Sequence, residues 1–343
     1  MPQLYVYPIK ALRGIPLETA RLGPLGIRYD RHFMLLKVEQ DGQIKKMQLS
    51  SHPQCALFEQ RMVSDAAVIV RYHAPPTATG EDPVQQNRAE LRVPLEPDIA
   101  HLKRVDINLH GSPASAAYRM GGHYDEWFSS CFGFNSMLVY IGDGRRRVLG
   151  SALLPPASAR HRQQQQQQQG WFSTLTSYVA APVAGPPPPV LLTFSDVAPF
   201  LVTTESSLGN VARRLPADVS GKVGMYKFRP NLVVDGEGEW EEDFWAELTV
   251  SGENRLLVTG NCARCTSLNV DYQTGKPAIG ELGTVLKKLM KDRRVDPGVK
   301  WSPIFGRYAF LAGEEEIEVS VGDEVEVTEH RSERSVFDWP GLA

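Results

Sequence analysis

The sequence has few cysteines and no long apolar run. Its 343 residues contain four cysteines, too few for a disulfide framework in a chain of this length. This scarcity favours a reducing, intracellular setting. No stretch reaches the roughly 18 consecutive apolar residues of a membrane span. The first eight residues also lack the basic-then-apolar pattern of a signal peptide. We therefore expect no membrane span in this chain.

An excess of charge of either sign is also missing. The 37 lysines and arginines nearly balance the 40 aspartates and glutamates, for a formal net charge of −3. This balance gives no global basic field for nucleic acid or an anionic membrane, so no nucleic-acid partner is expected. G-x-S-x-G, P-loop and G-x-G-x-x-G motifs are missing, and the eight histidines form no H-x-x-H or H-E-x-x-H. Triad hydrolases, nucleotide-binding folds and histidine-based metal sites lose support.

Strand and turn patterns dominate the first 120 residues. Short runs of aliphatic and aromatic residues predict strands at residues 4–7, 32–38 and 67–72. Asp41-Gly42 predicts a hairpin turn. Residues 73–87 hold turn formers and almost no large apolar side chains, which indicates a mobile loop.

Helical periodicity appears in three places. The first helix begins at Gly122 and should end at Gly133; the second begins near Thr204, after a strand; the third spans about residues 281–293. The alternating residues 317–327 predict a closing hairpin, with its turn at Gly322-Asp323.

A low-complexity stretch separates two folded blocks. Residues 144–190 include seven consecutive glutamines and four consecutive prolines, which cannot bury enough apolar surface to offset their ordering entropy. We interpret this stretch as a disordered insertion or linker; the alternative is a docking site for a proline-recognising partner.

These patterns predict a mainly β protein with flanking helices (α+β), built from two barrel-like β domains. The predicted divisions are a first domain with one helix, the linker, a second domain and a tail, at residues 1–143, 144–190, 191–330 and 331–343.

Cys262-Ala263-Arg264-Cys265 is the sharpest local motif. A structural zinc site needs four ligands, and no second pair completes one. Thioredoxin-like chemistry needs a following helix, whereas residues 266–271 predict a strand. A third interpretation is one thiolate as the sole protein ligand of a soft metal centre, with Arg264 helping to hold an anionic cofactor. Two ordinary buried cysteines fit equally well. In an extended segment, residues three apart point to opposite sides, so only one of the pair should face a cofactor unless the chain turns tightly between them.

Other cations stand beside predicted strands. Arg229, in Phe228-Arg229-Pro230-Asn231, offers a bidentate fork for phosphate, and Asn231 can pair with a heterocycle amide. Lys10 and Arg31 occupy similar positions in the first domain. Together with Arg264 these cations form a candidate anion pocket; separately, each is an ordinary cation at a strand edge.

The motifs occur together, in this order, in a known family. The chain resembles the MOSC-domain proteins, named for the C-terminal domain of molybdenum cofactor sulfurase, and is most like the mitochondrial amidoxime-reducing components. The segments that carry the resemblance are Tyr7-Pro-Ile-Lys10 with Asp30-Arg31, Phe228-Arg-Pro-Asn231, Cys262-Ala-Arg-Cys265 with Asp271-Tyr-Gln-Thr-Gly275, and Pro303-Ile-Phe-Gly306-Arg-Tyr308.

The resemblance implies a MOSC N-terminal β-barrel domain, a MOSC domain and a bound molybdenum cofactor. Cys265 would be the thiolate ligand of molybdenum and the catalytic residue. The remaining implied cofactor-binding residues are Lys10, Arg31, Arg229 and Arg264 for phosphate and pterin, Asn231 for the pterin, Thr204 and Ser207 at a helix N-terminus, and Ala263 beside the ligand.

The resemblance also implies an activity: the reduction of amidoximes, hydroxylamines and N-oxides. Electrons would come from a cytochrome b5-type donor and an NADH-dependent reductase, because the chain lacks a further cysteine cluster. The location would be cytoplasmic, or the cytosolic face of the mitochondrial outer membrane if an N-terminal anchor was removed. The alternatives are a cofactor carrier without turnover and a MOSC-like fold that has lost its cofactor.

Two departures from close relatives are visible. Ala11 follows Lys10 where relatives have serine, and residues 48–51 lack an expected Arg-Gln. The second departure puts substrate preference in doubt more than cofactor binding.

Overall fold

A computed structural model describes residues 1–75, 90–112, 115–151, 153–155 and 189–341. We call the described residues up to 155 the N-terminal block and residues 189–341 the C-terminal block. Most of the predicted loop at 73–87 and most of the low-complexity stretch lie outside the described residues.

The N-terminal block is mostly strands with one helix, α1 (Gly122–Phe132). Its strands are β1 (Gln3–Val6), β2 (Ile15–Leu17), β3 (Thr19–Gly23), β4 (Gly26–Ile27), β5 (Phe33–Val38), β6 (Ile44–Lys46), β7 (Phe58–Val63), β8 (Ala67–Tyr72), β9 (Leu91–Pro94), β10 (Lys103–Ile107), β11 (Ser115–Arg119), β12 (Ser136–Tyr140) and β13 (Arg146–Arg147).

The C-terminal block has three short helices, α2 (Glu205–Arg213), α3 (Ala217–Ser220) and α4 (Val285–Leu289). Its strands are β14 (Leu191–Leu192), β15 (Phe200–Thr204), β16 (Leu232–Val234), β17 (Trp245–Val250), β18 (Asn254–Ala263), β19 (Val270–Asp271), β20 (Lys276–Pro277), β21 (Ile304–Leu311), β22 (Ile317–Ser320) and β23 (Val325–His330). The predicted mainly β fold is confirmed.

Two half-barrel sheets organise the molecule. The larger has the order β2-β1-β16-β15-β21-β18-β17-β23, and a five-stranded sheet has the order β10-β11-β12-β5-β6. Strand β1 therefore belongs to the sheet built mainly by the C-terminal block: Gln3 pairs with Val233, and Leu4 with Leu232. The main apolar core is continuous across both blocks, because its buried side chains include Leu4 and Phe58 as well as Trp245.

Several local predictions are confirmed. Strands β1, β5 and β8 lie where the runs at 4–7, 32–38 and 67–72 placed them. Asp41-Gly42 lies in the turn joining the antiparallel β5 and β6, with Gly42 at φ 81°. Helix α1 ends at Gly133, whose φ of 77° is the left-handed conformation that glycine adopts at low cost. Helix α2 begins after Thr204, whose hydroxyl accepts a hydrogen bond from Ser207 N at 3.2 Å.

The predicted closing hairpin is wrong. A turn forms at residues 321–324, where Asp323 Oδ2 accepts from Ser320 N at 2.8 Å. The two strands then leave for different sheets, since β22 pairs with β3 and β23 pairs with β17. Alternation along one strand reports burial of one face, and it does not specify the pairing partner.

Two predicted elements differ from the structure. The helix expected over 281–293 is a 3-10 turn at Gly280–Thr284 followed by α4 alone, consistent with the low helix propensity of Gly280 and Gly283. Its apolar face is nonetheless buried at Val285 and Leu289. The strand expected over 266–271 is a 3-10 turn, Thr266–Asn269, before the two-residue β19.

The last residues also pack against the body of the protein. Phe337 is 5% exposed and Trp339 1%, and both join a cluster with Leu153, Leu192 and Ile304. The segment after residue 330 therefore contributes to the core.

Candidate functional site

A cavity opens where the two blocks meet. Seven of the nine predicted site residues line it: Lys10, Arg31, Arg229, Asn231, Ala263, Arg264 and Cys265. The cavity is also lined by Ala11 and residues 48–50. Its further polar side chains include Asp196, Ser267 and Tyr308. The fold thus brings together residues that lie up to 298 positions apart in sequence, Lys10 and Tyr308.

Thr204 and Ser207 do not line this cavity. Both are buried, and their hydroxyls lie 3.3 and 2.9 Å from Glu242 Oε2. Burial raises the pKa of Glu242 to about 7. The predicted contact of these two hydroxyls with a cofactor is replaced here by an internal network that holds the start of α2.

The four cavity cations divide into two pairs. Lys10 forms an ion pair with Asp196, and Arg31 with Asp30. Among the described residues, neither Arg229 nor Arg264 has a carboxylate within 4.0 Å. Their guanidinium groups instead donate to main-chain oxygens, Arg229 to Leu12 O at 2.7 Å and Arg264 to Phe228 O. The cavity therefore retains positive charge that suits an anion.

The backbone is strained at three residues of the cavity wall, two of which are cations. Ala11, Arg31 and Arg229 have φ values of 73°, 54° and 56°, a region that costs non-glycine residues free energy. All three line the cavity. Strain of this kind persists where the surrounding structure fixes it, and it is common at ligand-binding sites.

Asn231 is held by the protein itself. Its Oδ1 accepts from Arg31 Nη1 and from Leu201 N, both at 3.2 Å, and its Nδ2 donates to Tyr5 O at 3.2 Å. The side chain therefore joins strand β1 to the residues around β15 and orients Arg31. One amide hydrogen remains for a ligand, so the predicted pairing with a heterocycle has a single donor.

The two cysteines differ in exposure but share the cavity. Cys265 is exposed, and its Sγ lies 3.1 Å from Ser267 Oγ. Cys262 is 4% exposed, and its Sγ accepts from Arg264 Nη1 at 2.9 Å. Both line the cavity: the pairing of β18 with β21 shifts register between Asn261 and Ala263, and Cys265 lies beyond the end of β18. The expectation that only one of the two cysteines faces the cavity applies to a straight strand. It is wrong here, because both cysteines line the cavity.

Sequence reasoning missed Asp196 and Tyr308 as site residues. Asp196 Oδ1 accepts from Lys10 Nζ and lies 2.8 Å from His110 Nε2. Burial opposes the charged carboxylate, but Lys10 and His110 outweigh it and hold the pKa of Asp196 well below its usual range. Tyr308 Oη lies 3.3 Å from Cys262 Sγ. Tyr308 stands in the recognised Pro303–Tyr308 segment, whereas the lone Asp196 carries no sequence signal.

Lys10 should make anion binding depend on pH. Burial lowers its pKa to about 8, even though Asp196 favours the charged amine; Arg146 and Arg31 oppose it. An anion prefers the protonated amine, so the affinity of cofactor-free protein for sulfate should fall as pH rises through about 8. Sulfate keeps its charge over this range, and calorimetric titration at several pH values measures the change.

Lys10→Met is the control for that titration. It should bind sulfate more weakly, and its affinity should not change near pH 8. An equal fall in both proteins would assign the titration to another group. His110 does not account for it, because burial lowers its pKa below 6.5.

Two features are missing from residues 1–75, 90–112, 115–151, 153–155 and 189–341. Within those ranges, no three His, Cys, Asp or Glu side chains are grouped so that they could hold a metal ion. None of the helices described is long and apolar enough to cross a bilayer.

Comparison with known families matches both blocks. The profile of the MOSC N-terminal β-barrel domain matches residues 1–135, and that of the MOSC domain matches residues 190–326.

Comparison with individual proteins finds similar relatives. Mitochondrial amidoxime-reducing component 1 of Mus musculus is 26% identical over 94% of this chain and 80% of its own length. The Homo sapiens protein of the same name is 36% identical over 39% of this chain and 38% of its own length. Molybdenum cofactor sulfurase of Arabidopsis thaliana is 29% identical over 39% of this chain and 16% of its own length. The two profiles together match 272 of the 343 residues, in the order N-terminal β-barrel domain then MOSC domain, and the chain therefore belongs to the MOSC-domain family.

Proposed function

We propose that this chain binds the molybdenum cofactor in the cavity and reduces N-hydroxylated compounds such as amidoximes, hydroxylamines and N-oxides. One observation carries the proposal: the exposed thiol of Cys265 opens into a cavity lined by four cations. An anionic ligand that needs a single thiolate fits this donor set. The names of the relatives support the cofactor and the reaction class.

Each cavity residue has a task that follows from its contacts. Cys265 would ligate the metal, since it is the exposed thiol. Arg229 and Arg264 would hold phosphate, because each has N–H groups and neither has a carboxylate partner in the part of the chain that the structure describes. Lys10 would contribute charge from beside Asp196. Arg31, although it is paired with Asp30, keeps further N–H groups that would donate to the same phosphate. When bound, the cofactor would supply the chemistry that removes an oxygen atom from the substrate in a two-electron reduction.

The wall formed by Gln48, Leu49 and Ser50 would contact the substrate. It comes from the N-terminal block and carries no charge, in place of the Arg-Gln of close relatives. A half-buried amide and an exposed hydroxyl can orient a neutral, polar N–OH group by hydrogen bonds. We therefore favour uncharged N-hydroxylated substrates.

Electrons would come from a separate protein. The chain has four cysteines and no cluster for an iron–sulfur centre. A cytochrome b5-type donor reduced by an NADH-dependent reductase is our proposal for that role. The names of the relatives also suggest a mitochondrial location. Within it, the cytosolic face of the outer membrane is our proposal.

The proposal predicts both metal content and turnover. Protein purified from a host that makes the cofactor should contain about one molybdenum and one pterin per chain. With reduced viologen as electron source, it should convert benzamidoxime to benzamidine. Elemental analysis and chromatography of the product measure the two results.

Two outcomes would contradict parts of this proposal. Well-folded protein that holds zinc or no metal, even after reconstitution, would exclude the cofactor. Fully loaded protein that reduces no N-hydroxylated compound would favour a carrier, which binds and delivers the cofactor without turnover.

A further inference from the structure

Tyr7 contacts both arginines that approach the cavity from opposite blocks. Its ring centroid lies 4.6 Å from Arg31 Cζ and 4.4 Å from Arg229 Cζ. The side chain is buried, 1% exposed, so water does not separate the ring from the cations. The negative face of an aromatic ring attracts a guanidinium group, most strongly where both are desolvated.

Further contacts fix the position of Tyr7 itself. Its main-chain N donates to Asp30 Oδ1 at 2.8 Å, and its main-chain O accepts from Arg31 N at 2.9 Å. Its hydroxyl donates to Pro230 O at 3.0 Å, next to Arg229. The residue is thus bound to the chain beside each arginine as well as to the two guanidinium groups.

We propose that Tyr7 is a positioning residue whose ring sets the two guanidinium groups so that both can donate to one anion in the cavity. Two cations repel each other, and a shared ring offsets part of that repulsion without neutralising either charge. Burial raises the pKa of Tyr7, so the ring stays neutral. The inference rests on the proposed function in one respect: the anion is taken to be the phosphate of the cofactor.

Gly14 gives a second way to move the ring. A Cβ on Gly14 would lie 2.5 Å from Tyr7 Cε1, closer than carbon atoms approach. Gly14→Ala should therefore displace the ring while keeping its chemistry. This variant keeps the proposal testable if Tyr7→Leu fails to fold.

The experiment measures sulfate binding by cofactor-free protein in calorimetric titrations at pH 7. Tyr7→Leu should bind sulfate roughly tenfold more weakly than wild type, and Gly14→Ala should bind it more weakly as well. Tyr7→Phe keeps the ring and loses only the bond to Pro230, so it should stay within about twofold of wild type. The matched control is Phe128→Leu, which removes another fully buried aromatic ring that touches no arginine of the cavity and should leave sulfate binding unchanged.

Molybdenum content of the same variants, made in a cofactor-producing host, separates the two proposals. If wild type holds no molybdenum but its sulfate binding depends on the ring, the proposed function fails and the role of Tyr7 stands. If wild type loads molybdenum and Tyr7→Leu or Gly14→Ala binds sulfate as wild type does, the role of Tyr7 is overturned. Wild type that binds no sulfate, or a Tyr7→Phe as weak as Tyr7→Leu, would also overturn it.

Discussion

Cys265→Ser is expected to abolish the reduction of benzamidoxime, while Cys262→Ala keeps turnover in the molecules that still hold cofactor. Cys265 is the exposed thiol at the cavity, and serine offers a harder and far less acidic oxygen to a soft metal. The pterin can remain in Cys265→Ser through the arginines. Rates per bound molybdenum and the pterin content of both variants measure the difference.

The structure gives Cys262 a separate task. Its Sγ accepts the hydrogen bond from Arg264 Nη1, so Cys262→Ala removes a buried partner of a cavity cation. We expect a loss of about 1–3 kcal/mol in the free energy of unfolding, with partial loss of cofactor. Turnover that survives in Cys265→Ser and vanishes in Cys262→Ala would reverse the assignment. Equal loss in both would indicate a paired dithiol.

Arg229→Ala is expected to lower cofactor content strongly while leaving the fold intact. Arg229 has no carboxylate partner among the described residues, and its guanidinium group donates to the main-chain oxygen of Leu12. A charged hydrogen bond to phosphate in a partly dry pocket is worth roughly 1.5–3 kcal/mol. Loss of one or two such bonds should therefore reduce occupancy at least tenfold under limiting cofactor. Molybdenum per chain, together with thermal unfolding, measures the two effects.

Arg28→Ala is the matched control. Arg28 also stacks on a buried tyrosine, with its Cζ 4.8 Å from the ring centroid of Tyr29, but it does not line the cavity. Its replacement should leave molybdenum content unchanged. Equal occupancy in Arg229→Ala and wild type would show that the phosphate lies elsewhere.

The sequence predicted the cations and the thiol of the site better than their surroundings. Lys10, Arg31, Arg229, Arg264 and Cys265 stand in short motifs whose combination is specific, and the fold brings all five to one cavity. The family resemblance implies Thr204 and Ser207 as well, at a helix N-terminus that suits an anion. That feature does not reveal that Glu242 fills the position in front of the helix.

Features that depend on distant partners escaped prediction. The alternation in β22 and β23 correctly indicated strands, but their partners β3 and β17 are chosen by the packing of whole sheets. Asp196 becomes a site residue only because the fold places it against Lys10 and His110. Tyr7 belonged to a recognised motif, yet its contact with two arginines appears only in three dimensions.

The pairing of β1 with β16 also bears on how the chain folds during synthesis. Residues 3 and 4 are synthesised 230 and 228 residues before their partners, Val233 and Leu232. Until then β1 presents unpaired main-chain groups at an open edge, where it can pair with the wrong strand. The large sheet is consequently completed late, and the cavity that depends on Tyr7 and Arg229 forms only once β1 has met β16.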